Sequence, residues 1–545
     1  MRLKKLLYSD VLFYGLFSVV ILTLTIFPLY TKAKITPAGY TFTGAQFKIR
    51  DYFIYTAIMR QGHSQWLMED TTAISDEVIK PNLVNWFYIL CGKLGFMLGL
   101  PDAVTYYLVQ YSLIILFIVS IIVLFQLLLP KHLRRVAFLL TFFGGVFPFA
   151  EANQWNWTLQ WESAYARLLH VPAHSFVEVL VVASWVSLIR LIRRIRHIRL
   201  IGLIAGYLTI GIIQFFAAIF FAPMVVPFLL AVVLTTFFYY VGRFSLGKNK
   251  IALLPISGIM IVVLSAVIGL WVMQTSIKSG NPGYQLQLSA SVKQNFFKEA
   301  TQKAIEYFRL FWLFMPFILL SIPEVYKGWK WEKLFVFVYF LTPFFLIFIA
   351  PFFGMESWRA ANSMPLVTAG ILTVVGINKL LKYLKSLQEI GKWAIVLVIL
   401  AISFPQNLFY YQRELKPMFT TQVYLPNAEI EALTLLSKVA PPRAVVLSLE
   451  SVADHIPMYS HARGYGTKDY DKRWYELGGR LDAEIEGFYR GTMTDEQAKN
   501  FLKRARISYV YFGWDEDDFT KEIKYKKFLK QIFGKSGIYL YEVAI

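Results

Sequence analysis

The sequence predicts a polytopic α-helical membrane protein with an α/β domain at its C-terminal end. Hydrophobic residues make up 57% of the 545 residues, and charged residues only 17%, which is less than in typical soluble domains. The apolar residues form runs of about 18 to 26, long enough to cross a bilayer core of roughly 30 Å as helices. After residue 410 this pattern ends, and helical segments alternate with short strands.

About eleven membrane spans are predicted from these apolar runs. They cover residues 11–30, 104–129, 136–150, 171–190, 200–216, 219–241, 251–273, 307–322, 333–351, 364–379 and 393–410. The apolar segment 83–99 is short and interrupted by Lys93. We expect it to lie on the outer membrane surface, because a crossing there would invert all later basic loops.

The net charge of +20 is concentrated in short basic clusters between the apolar runs. These clusters begin at Lys131, Arg190, Arg243, Lys327 and Lys379. Such clusters mark cytoplasmic loops, so they indicate topology rather than nucleic-acid binding. The expected location is the plasma membrane, with the N-terminus in the cytoplasm as an uncleaved first helix. Eleven crossings then place the first loop (31–103) and the C-terminal part outside.

Two domains are expected, a transmembrane domain over 1–410 and an outer α/β domain over 411–545. Within the second domain we predict helices at 427–439 and 494–505 and strands at 444–449, 508–512 and 538–543. Two acidic stretches, Asp469–Asp471 and Asp515–Asp518, match a D-x-D pattern. Without a nucleotide-binding context that pattern is weak, and both are expected to be solvated loops.

A motif in the first outer loop carries the strongest indication of chemistry. Asp51, Tyr55, Ile58 and Arg60 follow the pattern D-x3-Y-x2-I-x-R. At helical spacing the first three share one face. An acid at this position is also a good first-turn residue for any helix, and that structural interpretation stays open.

With this motif the chain resembles the GT-C glycosyltransferases, especially the protein O-mannosyltransferase and aminoarabinose-transferase branch. The matching positions are Asp51, Tyr55, Ile58, Arg60, Gly62, Trp66, Lys80 and Pro81. The resemblance implies sugar transfer from a polyprenyl-phosphate donor to a glycan, lipid or protein acceptor. It makes Asp51 the catalytic carboxylate and Lys80 a ligand of the donor phosphate. Many relatives carry a second acid next to the first, where this chain has Tyr52.

Further candidates lie in later outer loops. Glu151 and Glu162 are candidates for a second catalytic acid, and Arg359 for a second phosphate ligand, although Glu356 is a possible ion-pair partner of Arg359. Trp155 and Trp157 suit sugar stacking or interfacial anchoring.

Two open points concern metals and the class of protein. His174 is a substrate-binding candidate and, with His170, has i,i+4 spacing that suits a metal when a third ligand is near. A divalent ion, Mg²⁺ or Mn²⁺, is therefore possible, although no metal-ligand set is predicted. The single cysteine, Cys91, excludes an internal disulfide. Two other classes stay open: a transporter or flippase for lipid-linked glycans, and a non-catalytic GT-C relative.

Overall fold

A computed structural model provides the architecture of most of the chain. It describes residues 10–46, 49–69, 81–144, 172–194, 198, 200–245, 253–280, 300–302, 304–305, 307–308, 311–327, 329–349, 365–383, 388–415, 423–465, 478–517, 520 and 522–545.

The helices of the first 415 residues account for most of the described structure. They are α1 (Asp10–Lys34), α2 (Ile49–Gln61), α3 (Trp86–Met97), α4 (Asp102–Leu128), α5 (Lys131–Phe143), α6 (Pro172–Arg194), α7 (Leu200–Ser245), α8 (Leu253–Gly280), α9 (Met315–Tyr326), α10 (Trp331–Ile349), α11 (Pro365–Tyr383) and α12 (Gln388–Leu415). One short strand, β1 (Tyr40–Phe42), lies between α1 and α2.

The C-terminal part has helices and strands in alternation, as predicted for an α/β domain. The elements are β2 (Tyr424–Pro426), α13 (Asn427–Val439), β3 (Val445–Leu447), α14 (Glu450–Ala453), α15 (Ile456–Tyr459), β4 (Arg463–Tyr465), α16 (Gly478–Tyr489), α17 (Asp495–Arg504), β5 (Ile507–Phe512), α18 (Trp514–Asp517), a 3₁₀ turn (Lys526–Phe528), β6 (Leu529–Lys535) and β7 (Ile538–Val543).

Each of the eleven predicted spans overlaps a helix. Two of them fall in α7, where helical geometry breaks at Phe221, two residues before Pro223. A proline lacks an amide hydrogen and its ring clashes with the preceding turn, which accounts for the break within this 46-residue element. Among the described residues, seven helices are long and apolar enough to cross a membrane. The protein is thus polytopic and α-helical, as predicted.

Two predicted spans differ from the structure in length. Helix α9 has 12 residues and begins at Met315, where Pro316 occupies the first turn and needs no amide partner. Helix α5 has 13 described residues, of which the predicted span 136–150 covers only the later part. At 1.5 Å per residue, 12 or 13 residues span only about 20 Å, less than the hydrocarbon core.

The chain forms two compact units. The first comprises 1–26, 110–274 and 288–413, and the second 27–109, 275–287 and 414–545. The first unit is built around a large apolar core that includes Trp185, Phe228 and Tyr339. Ion pairs link its helices near their ends: Arg135 with Asp10 at 2.8 Å, and Arg193 with Glu332 at 3.0 Å.

The second unit combines the first predicted outer loop with the C-terminal elements. Strand β1 pairs with β2 in an antiparallel ribbon, with Thr41 opposite Leu425. A five-stranded sheet has the order β4-β3-β5-β7-β6, parallel on the β4-β3-β5 side and antiparallel on the other. The sequence prediction separated these regions at residue 410, and that boundary stays a prediction.

The predicted C-terminal elements agree closely with the structure. Helix α13 has the predicted bounds, and α17 begins after Thr494, whose side chain forms a reciprocal capping box with Gln497. Strands β3, β5 and β7 lie at the predicted places. Strand β6 was not predicted, because it is an edge strand with largely polar, exposed residues and lacks alternating apolar positions.

Candidate functional site

Asp51 lies in the first turn of α2, as the motif predicts. Its side chain is half-buried. No hydrogen-bond or ion-pair partner for this carboxylate lies among the residues that the structure describes. A carboxylate at a helix start is favoured by the helix dipole, and none of the described residues blocks this one from a ligand by pairing with it.

The neighbouring Tyr52 points into the core, on a different face of α2 from Asp51. It is 1% exposed, and its hydroxyl donates to the carbonyl of Thr43 at 3.1 Å. Its ring packs edge-on against Tyr106 at 5.1 Å. Burial raises the pKa of Tyr52 above its ordinary range. A carboxylate at position 52 would therefore be buried among aromatic rings, which is costly without a partner.

Tyr55, one helical turn after Asp51, packs against α3. Its ring stacks on that of Tyr88 with centroids 4.1 Å apart and an angle of 10°. The two helices also approach closely at glycines. A Cβ at Gly92 would lie 1.8 Å from the carbonyl oxygen of Met59, and one at Gly62 would lie 2.2 Å from that of Ile89. Tyr55 thus contributes to the packing that fixes the helix carrying Asp51.

Arg60 lies at the other end of α2. Nine residues separate it from Asp51, which corresponds to about 13 Å along the axis and about half a turn around it. Its Nη1 donates to the carbonyl of Met458 at 2.6 Å. Burial lowers the pKa of Arg60, whereas the charges of Asp102 and Tyr459 oppose this. The structure therefore does not bring Arg60 to the same site as Asp51.

A polar pocket of about 220 Å³ surrounds Arg60. Its lining includes Gln61, Glu69, Arg443 and His461. Arg443 forms an ion pair with Glu69. The pKa of His461 is lowered by burial first and then by the positive charge of Arg60. This pocket has local positive character and was not predicted from the sequence, because its residues come from segments nearly 400 positions apart.

The other predicted site residues are distributed as follows. His174 is buried in α6, and its ring lies 3.9 Å from that of Phe221, with an angle of 40° between the planes. The candidates outside the described residues are Lys80, Glu151, Trp155, Trp157, Glu162 and Arg359. Their roles stay predictions.

The residues between Pro81 and the start of α3 are not helical. Pro81 lies in an extended segment, and α3 begins five residues later, at Trp86. Asn82 instead pairs with Met68 through two backbone hydrogen bonds. Trp66 is exposed, and the ammonium of Lys93 lies 4.4 Å from its ring. Helix α3 has 12 residues, too short to cross a bilayer, in agreement with the surface position expected for 83–99.

A divalent metal ion would need a cluster of ligand side chains near these helices. Within the described parts of the chain, no group of three or more His, Cys, Asp and Glu side chains could hold a metal ion. Asp51 belongs to no such group among the described residues. A divalent ion stays a prediction.

Comparison with known proteins identifies solved structures with a similar architecture. No protein-family model matches the chain, and no curated protein matches it. The fold is similar to the archaeal oligosaccharyltransferase AglB from Archaeoglobus fulgidus, in complex with an inhibitory peptide and a dolichol-phosphate. The TM-score is 0.52 at 11% identity, over 96% of this chain and 74% of that one.

Two further solved structures are similar. The Archaeoglobus fulgidus enzyme tethered to an acceptor peptide has a TM-score of 0.52 at 13% identity, over 96% of this chain and 74% of that one. ArnT from Cupriavidus metallidurans, bound to undecaprenyl phosphate, covers 98% of both chains at 8% identity. Its TM-score of 0.49 is too low to support a conclusion. At these identities the likeness shows the fold alone, and this chain has the fold of these archaeal oligosaccharyltransferase structures.

Proposed function

We propose that this protein is a membrane glycosyltransferase that transfers a sugar from a polyprenyl-phosphate donor to an acceptor on the outer face, with Asp51 as the catalytic carboxylate. The observation that carries the proposal is the half-buried Asp51 at the start of α2, which has no partner among the described residues, in a chain with the fold of the AglB structure. The similar AglB structure contains a dolichol-phosphate, a polyprenyl phosphate like the lipid part of the proposed donor.

The proposed reaction requires one proton acceptor and one stabilised leaving group. An acceptor oxygen or nitrogen forms a bond to the anomeric carbon, and the bond from that carbon to the phosphate oxygen breaks. Asp51 orients the acceptor and takes its proton. The phosphate leaves with the electron pair, and nearby cations stabilise its charge. We assign that second role to Lys80 and Arg359.

We also propose an orientation of the protein in the membrane. The N-terminus lies in the cytoplasm, and the second unit, which contains Asp51, lies on the outer face. Basic clusters between the spans support this arrangement.

The test is sugar transfer or donor hydrolysis by the purified full-length protein in lipid, with a panel of radiolabelled polyprenyl-phosphate sugars. We expect turnover by the wild type and a loss of about 100-fold or more in Asp51→Asn, the range of general acid–base catalysis. Asp495→Asn is the matched control, because Asp495 is also a first-turn helix acid but lies exposed on α17. It should turn over like the wild type.

Other outcomes would contradict parts of the proposal. Equal turnover by Asp51→Asn and wild type would remove the role of Asp51 and favour Glu151 or Glu162. Donor binding without turnover by any variant would favour a non-catalytic relative. Transport of the intact donor lipid across the bilayer would favour the flippase class.

A further inference from the structure

A second pocket in the unit that contains Asp51 lies between the β1–β2 ribbon and the C-terminal sheet. Its volume is about 200 Å³, below the roughly 300–1,000 Å³ of pockets for drug-sized ligands. One ring-sized group would fill it. None of the motifs identified in the sequence predicts this pocket.

Aromatic rings form the outer wall of this pocket. Trp514 is 44% exposed, and its indole meets the ring of Tyr40 edge-on, with centroids 6.1 Å apart. The indole nitrogen donates to the carbonyl of Ser536 at 3.3 Å, which holds the ring in place. A partly exposed, fixed aromatic pair offers an apolar surface to a ligand that also needs polar contacts.

The floor of the pocket is formed by the buried pair of His455 and Glu429. His455 is 1% exposed, and its Nδ1 lies 3.2 Å from Oε1 of the buried Glu429. Of the two ring nitrogens of His455, Nδ1 is therefore occupied by this carboxylate. Within the described residues Nε2 has no hydrogen-bond partner, which is unusual for a buried polar atom.

A hydrogen-bond acceptor lies at the side of the pocket. Asp515 accepts a hydrogen bond from the hydroxyl of Ser451 through one carboxylate oxygen. Among the described residues that line the pocket, none is a lysine or an arginine. The pocket therefore disfavours phosphate and carboxylate groups and favours a ligand with several hydroxyl donors.

We infer that this pocket binds one uncharged sugar ring of the acceptor, with its hydroxyls donating to Asp515 and its apolar face against Trp514. The acceptor role rests on the proposed function, whereas sugar binding does not.

The position of the pocket shows which part of the acceptor it would hold. The ring of His455 packs edge-on against Phe53 of α2 at 4.7 Å. Phe53 and Asp51 lie on roughly opposite sides of this helix, about 10 Å wide. The pocket thus holds a sugar away from the reacting bond, and binding there contributes to orientation of the acceptor.

The test measures equilibrium binding of uncharged saccharides to the full-length protein by calorimetry, without any donor. We expect saturable binding that weakens at least 10-fold in Trp514→Ala and Asp515→Asn. Trp514→Phe should restore most of the affinity because it keeps an aromatic face. Asp517→Asn, on the same short helix but outside the pocket lining, is the matched control and should bind like the wild type.

Several outcomes would overturn the inference. These are tighter binding of uronic acids or sugar phosphates than of uncharged sugars, binding of peptides alone, and equal binding by Trp514→Ala and wild type. Asp51→Asn separates the two proposals, since it should bind the saccharide normally even when transfer is lost. A failure of transfer by the wild type, together with saccharide binding that depends on Trp514, would refute the proposed function and leave the sugar site standing.

Discussion

At the scale of single residues, burial separates the two neighbours at the start of α2. Asp51 faces away from the core, whereas Tyr52 is enclosed and hydrogen-bonded to Thr43. The sequence shows a tyrosine where the resemblance to GT-C glycosyltransferases led us to expect a second acid. The structure supplies a physical reason, because position 52 belongs to the aromatic packing of this unit. One carboxylate on the accessible face is what the proposed chemistry requires of α2.

Glu516 shows the opposite case, an acid that was expected in a solvated loop and is fully buried. That expectation was wrong for Glu516, which is 0% exposed. Its two oxygens accept from the backbone amides of Leu449 at 2.8 Å and Gly513 at 3.0 Å. These bonds connect α18 to the end of β3, and nothing in the local acidic sequence indicates them.

Burial of Glu516 predicts a pH-dependent stability. Burial raises its pKa to about 8, although the backbone hydrogen bonds oppose this. The unfolded chain loses this proton near pH 4.5, so between about 4.5 and 8 the folded state holds more protons. Stability contributed by Glu516 should therefore decrease as pH rises, by roughly 1 kcal/mol per pH unit.

The measurement compares Tm of the wild type and Glu516→Gln at several pH values, followed by tryptophan fluorescence. Glutamine does not titrate, so the advantage of the wild type should be largest near pH 5 and shrink towards pH 8. An advantage that stays constant or increases with pH would contradict the assignment.

At the scale of elements, the crossing of α2 and α3 fixes the helix that carries Asp51. Gly62 and Gly92 let the two backbones approach, and Tyr55 stacks on Tyr88 beside them. Gly62 is one of the positions that match the family motif. The close approach of the two backbones explains a glycine there, since any side chain would meet a carbonyl oxygen.

Gly92→Ala tests this crossing. The added methyl would lie 1.8 Å from the carbonyl oxygen of Met59, so the helices must move apart. We expect a loss of about 1–3 kcal/mol in stability and reduced activity through displacement of α2. Gly487→Ala, in α16 with no contact closer than 3.4 Å, is the control and should leave Tm unchanged or higher. Equal Tm values for the two variants would refute the close crossing.

At the scale of the whole molecule, the sequence predicted individual elements, whereas their division into domains at residue 410 stays a prediction. Apolar runs and alternating strands are local patterns, and they placed the spans, α13, α17, β3, β5 and β7. The polar pocket at Arg60 and the aromatic pocket at Trp514 join residues from the first loop and the C-terminal part. Such contacts depend on tertiary packing, which the pattern of a single sequence does not encode locally.

The predicted orientation gives a test on the whole protein. In a Cys91→Ser background, Lys131→Cys and Lys438→Cys each introduce one cysteine at an exposed position. With 83–99 on the outer surface, a membrane-impermeant maleimide should label position 438 in intact cells. Position 131 should be labelled only after permeabilisation. Labelling of position 131 in intact cells would mean that 83–99 crosses the membrane and that the later loops are inverted.

The most direct test of the central claim measures donor binding and sugar transfer together in wild type and Asp51→Asn. If Asp51 is the catalytic carboxylate, the variant should bind the polyprenyl-phosphate sugar with unchanged Kd, retain its Tm within a few degrees, and transfer at least about 100-fold more slowly. Transfer at the wild-type rate, or a loss of transfer that only follows unfolding of the variant, would contradict the account.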